Sequence, residues 1–135
     1  MTQEQLYVKM ALTGWESTIK RTDTLFKSLD DDALSKEIAP GRNRGSYLLG
    51  HLTAVHDAMP VILGLGERKY PELEKPFLTS PDKSGLDIPD NPTLREYWAE
   101  TTERLATLFG NMQPADWFHQ HTAVSAEDFA KEPHR

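Results

Sequence analysis

The chain has 135 residues, 38% hydrophobic and 27% charged, which is enough for one compact core and too few for a second domain of ordinary size. Fifteen Lys and Arg against 21 Asp and Glu give a formal net charge of -6, with both signs scattered. That pattern argues against the clustered cations that a nucleic-acid track or a polybasic membrane patch requires. With no Cys, disulfides and thiolate chemistry are excluded, and any metal would depend on His, carboxylates, carbonyls or water.

In chain order, Val8, Leu12, Trp15, Ile19, Thr22, Phe26 and Leu29 alternate in steps of four and three, predicting a helix from about Glu4 to Leu29 with one buried seam that Ala11, Thr18 and Leu25 widen. Asp30 to Asp32 end it, and Asp31 or Asp32 is expected to cap a short turn that follows. After the breaker cluster Pro40 to Gly45, Ser46 is placed to cap a second helix from Tyr47, whose seam reads Leu48, Leu52, Val55, Met59 and Ile62. Pro60 predicts a kink or an early stop near Ala58. From Gly64 to Asn91, five dispersed Gly and Pro positions (Pro71, Pro76, Pro81, Gly85, Pro89) mark a long connection. It exceeds the usual roughly 2 to 8 residues between adjacent bundle helices, so it reads as a crossover that could bring the third helix parallel to the second. Thr93 and Glu96 suggest a capping box for that helix, with Leu94, Trp98, Thr101, Leu105 and Leu108 as its seam and Gly110-Asn111 as its stop. Pro114 to Asp116 begin a short turn, followed by a mixed polar and aromatic stretch. No strand-length alternation of apolar residues is evident.

The expected class is therefore all-α. Such seams fit a four-helix bundle most regularly, yet only three long helices are visible. A three-helix module and a homodimer that supplies the missing packing surface are the alternatives. With no stretch of about 18 apolar residues and no basic-then-apolar run in Met1 to Lys9, a cytoplasmic protein without membrane or nucleic-acid partners is expected.

The densest chemistry is in Gly50-His51-Leu52 through Val55-His56-Asp57. At about 100° per residue, His51 lies about 60° to one side of the Leu48-Val55-Met59 stripe and His56 about 80° to the other, so His51 is read as the inward imidazole. Five residues apart, the two cannot readily share a metal from a regular helix, where separations of three and four converge. His119 and His121 have a spacing that chelates from an extended strand, but in an apparent loop beside Trp117 and Phe118 they read as ordinary residues. Gly64-Leu65-Gly66 is a helix stop, not a nucleotide-binding fingerprint. The acidic run Asp30 to Asp32 lacks the alternation of a calcium loop. Trp15, Tyr47, Tyr97 and Trp98 sit in or beside the seams, as core aromatics do.

Several of these features together resemble the DinB-like superfamily of four-helix bundles, also described as DinB/YfiT-like metalloenzymes, and in particular its DinB family members of unassigned function. The likeness is carried by Pro-Gly-x-Asn-x-x-Ser-Tyr-Leu-Leu-Gly-His-Leu over Pro40 to Leu52, by Val55-His56-Asp57, and by Leu63-Gly64-Leu65-Gly66-Glu67-Arg68 with Tyr70-Pro71-Glu72-Leu73. Tyr97-Trp98, Thr102-Glu103-Arg104-Leu105 and the closing Glu132-Pro133-His134-Arg135 extend it over almost the whole chain.

The resemblance implies an up-down four-helix bundle, here represented by three long helices and the crossover, in a single domain spanning 1–135 that is C-terminally truncated relative to the family. It also implies a divalent metal, such as zinc or nickel, held by three histidines: one from the second helix and two from a His-x-x-x-His on the fourth. His51 matches the first of these, and the chain contains no His-x-x-x-His. Metal binding is accordingly expected to be weak or absent in this form. The activity implied for a complete member is metal-dependent transfer involving a small thiol substrate. The alternative expectation is a non-catalytic, stress-associated interaction module that forms a homodimer. No catalytic residue is assigned.

Overall fold

The computed structural model describes residues 1–134; Arg135, which closes the family-like terminal motif, lies outside the described residues. Among the described residues the regular elements are all helical, with one isolated antiparallel bridge between Glu37 and Arg44. Helix α1 spans Gln3–Ser28 and starts at a capping box, in which Thr2 Oγ1 accepts from Gln5 N and Gln5 Oε1 accepts from Thr2 N. Its expected seam faces inward: Phe26 is buried, and Val8, Leu12, Trp15, Ile19, Thr22 and Leu29 are half-buried, whereas Ala11, Thr18 and Leu25, expected to widen the seam, are exposed.

The next helix, α2, spans Asp31–Leu34 and is capped by Asp30, whose carboxylate accepts from Ala33 N at 2.7 Å. The cap thus falls one residue before the expected Asp31 or Asp32. Asp30 has the extended backbone of a cap, while its two neighbours occupy the first turn, where their charge suits the helix dipole.

Helix α3 runs over Gly45–Ile62, and here three expectations need correction. Ser46 does not cap it. The Ser46 hydroxyl lies 3.0 Å from Leu34 O and 2.6 Å from Asn91 Oδ1, tying three elements together, while the N-cap residue Arg44 has no local side-chain cap. Instead Asp82, 38 residues away, accepts from Arg44 N at 2.8 Å and from the Arg44 guanidinium. Pro60 does not stop the helix near Ala58, because it lies in the last turn and costs only one intrahelical bond while its ring is fully buried. Nor is the apolar seam the most buried face. That face carries Ser46, Leu49, Gly50, Thr53, Ala54, Asp57 and Pro60, whereas Leu48, Leu52, Met59 and Ile62 are half-buried and Val55 is exposed.

The connection is not a bare loop. It contains a 3-10 turn at Pro71–Leu73 and the short helix α4 at Glu74–Phe77, and it sends Tyr70, Leu73 and Phe77 into the core. Helix α5 then spans Asn91–Asn111. Asp90 caps it by accepting from Thr93 N at 2.9 Å, so the start lies upstream of the expected Thr93 box, with Pro92 in the first turn, where its missing N–H costs nothing. Leu94, Trp98, Thr101 and Leu105 are buried as expected, with Phe109 joining them while Leu108 is half-buried. A second 3-10 turn at Pro114–Phe118 and helix α6 at Ala126–Lys131 follow.

Side-chain pairings establish direction. Ser46 meets Asn91 at the start of α3 and α5, while His56 and Asp57 meet Trp98 and Arg104 farther along both, so these helices run parallel. In contrast, Phe26 meets Trp98 and Trp15 meets Phe109, so α1 is antiparallel to α5. The crossover therefore interrupts strict up-down alternation. No helix among the described residues is long and apolar enough to cross a membrane.

Candidate functional site

Helix α3 carries three candidate groups on three different sides. His51 is half-buried on its flank, and its Nδ1 lies 2.7 Å from the Phe77 carbonyl contributed by α4. A carbonyl can only accept, so Nδ1 carries the proton and a neutral ring keeps its lone pair at Nε2. Tyr47, one turn earlier, stacks nearly parallel to the ring at 6.3 Å and 16°. Phe77 can reach this position because residue 50 is Gly: a Cβ there would lie 2.2 Å from Phe77 Cε1. The Gly-His pair in the sequence therefore acts jointly, with Gly50 admitting α4 and α4 orienting His51.

Asp57 occupies the buried side facing α5 and is 2% exposed. Its two oxygens accept from Lys69 N at 3.0 Å and Tyr70 N at 2.8 Å, and Arg104 Nη1 lies 3.8 Å away. These contacts clasp the chain that leaves α3 against α5. Beside them, the Lys69 ammonium and Tyr70 hydroxyl both donate to the Glu100 carboxylate, and Tyr70 stacks on Tyr97 at 3.8 Å. Burial and the Glu100 carboxylate push the Tyr70 hydroxyl up to about 12, so it remains a donor at neutral pH. Hydropathy alone did not single out Asp57. The only sequence signal was its place in Val55-His56-Asp57.

His56, expected to be the less inward histidine, faces the space between α1, α3 and α5. Its Nδ1 lies 2.7 Å from Leu52 O, and its ring meets Trp98 edge-on at 5.3 Å. Burial lowers its pKa below the ordinary value of 6.5. His119 is exposed, and His121 Nδ1 accepts from Ala123 N at 3.1 Å; among the described residues neither belongs to a group of three or more potential metal ligands.

Among the described residues, no three His, Cys, Asp or Glu side chains are grouped to hold a metal. His51 and His56 each have the arrangement common to metal-binding imidazoles, with Nδ1 fixed by a carbonyl, but they face different sides of α3 and do not converge on one ion. The residues present thus fit one ligand and do not fit a complete site. No family model matches the chain, and no curated protein matches it.

Proposed function

We propose that this is a DinB-like bundle domain in which His51 supplies one ligand to a divalent metal, with the remaining ligands coming from outside the described residues. The observation that carries the reading is the His51 Nδ1–Phe77 O hydrogen bond, which sets the tautomer and the ring orientation before any metal arrives. His51 also borders the half-covered Leu48-Leu52-Met59 face of α3, where a further segment could bring additional donors. The reaction class we propose for the complete site is transfer to or from a small thiol, for which zinc or nickel supplies Lewis acidity. This chain by itself contributes ligand orientation and no assigned catalytic step.

Equilibrium dialysis of the 135-residue chain against zinc and nickel tests this reading. Weak binding that diminishes in His51→Ala supports it. Tight equimolar binding would overturn the incompleteness of the site, and indifference to His51→Ala would overturn the ligand assignment.

A second reading is favoured by exposed apolar side chains on two of the long helices. Leu6, Tyr7 and Met10 on α1 and Val55 on α3 are all exposed, as on a module that covers them by homodimerising. It predicts a melting temperature that rises with protein concentration, whereas a dilution-independent monomer contradicts it.

A further inference from the structure

We propose that the partly open cavity between α1, α3, α5 and the Pro114–Phe118 turn binds a small uncharged alcohol or phenol, a molecule with an apolar body and a single hydroxyl. The cavity has a volume of about 360 Å³, within the lower part of the roughly 300–1,000 Å³ range of small-ligand sites. Leu12, Trp15, Met59, Phe109 and Trp117 form much of its wall, and no charged residue lines it. Its aromatic wall is a continuous set of edge and tilted contacts, with Trp15 5.1 Å from Phe109 and Phe109 5.2 Å from Trp117.

One polar atom defines the chemistry. His56 lines the cavity and has Nδ1 committed to Leu52 O, so its proton sits on Nδ1 and its lone pair on Nε2. Burial keeps that ring neutral at pH 7. The wall thus offers one acceptor within an otherwise apolar lining. A hydroxyl satisfies it by donating its proton to His56. A hydrocarbon of the same shape leaves it unpaired, and a carboxylate places a charge in a cavity without a counter-ion. This site is separate from His51 and does not depend on the metal reading.

The test is calorimetric titration of the full chain with three probes of similar size: p-cresol, toluene and benzoate. Saturable one-to-one binding of p-cresol is expected, with toluene about tenfold weaker, the scale of one neutral hydrogen bond, and no binding of benzoate at the same concentrations. His56→Leu reduces the p-cresol preference over toluene. Failure of p-cresol to saturate, equal affinity for all three probes, or an unchanged preference in His56→Leu overturns the proposal. The wild-type ranking decides the matter if the variant does not fold.

Discussion

Gly50, His51, His56 and Asp57 lie within eight positions, yet each does something different because the helix turns each toward a different neighbour. Gly50 is the tightest constraint. A methyl at this position would overlap the Phe77 ring, so Gly50→Ala should lower stability by about 3 kcal/mol in denaturant unfolding. Phe77→Leu in the same background should recover part of that loss, with a coupling energy well outside error. His56 makes a prediction with a definite sign. Its folded pKa lies below 6.5, so between that lowered value and about 6.5 the unfolded chain binds more protons, and stability falls as pH falls. Unfolding free energies measured from about pH 7.5 to about pH 5 should therefore decline more steeply for the wild type than for His56→Leu.

The helices were legible in the sequence because their seams repeat in fours and threes, and α1 turns its seam inward, with Phe26 buried and the rest half-buried. The orientation of α3 was not legible, because apolar residues lie all around it. Its innermost side includes Thr53 and Asp57, polar residues whose burial is permitted by partners that hydropathy does not reveal: Leu49 O for Thr53, and the Lys69 and Tyr70 N–H groups for Asp57. The same difficulty affects His51, which lies on the flank of α3 and not on its innermost side. The connection read as a loop because its Pro and Gly punctuate it, while Phe77 and Leu73 pack the core from its short turns.

Long-range capping also escapes local reading, and Asp82 is its test at this scale. Partial burial opposes ionisation, but the Arg44 guanidinium and the Arg44 and Lys83 N–H groups hold Asp82 below the usual carboxylate range. Its contribution is present above about pH 4 and is lost as pH falls through the lowered value. Asp82→Asn should cost about 2 kcal/mol at pH 7, and the difference from wild type should close on acidification, as followed by thermal melts across pH.

At the scale of the molecule, α3 and α5 form the tightest pair, clasped at one end by Ser46 and Asn91 and farther along by Asp57 and Arg104. Arg95 ties α1 to this pair by donating to Phe26 O and Leu29 O, both at 2.7 Å. Farther toward its N-terminus α1 is more open, and the apolar Leu48-Leu52-Met59 side of α3 beside His51 is half-buried. This frame supports the proposed division of labour: a packed scaffold orients one imidazole, and another segment or chain completes what surrounds it. The most direct test is a zinc titration of the 135-residue chain followed by NMR of the histidine ring signals. The account predicts that His51 shifts progressively with zinc, without tight saturation, while His56 stays unchanged. A His51 signal that is insensitive to zinc, or that saturates at one equivalent, would contradict it.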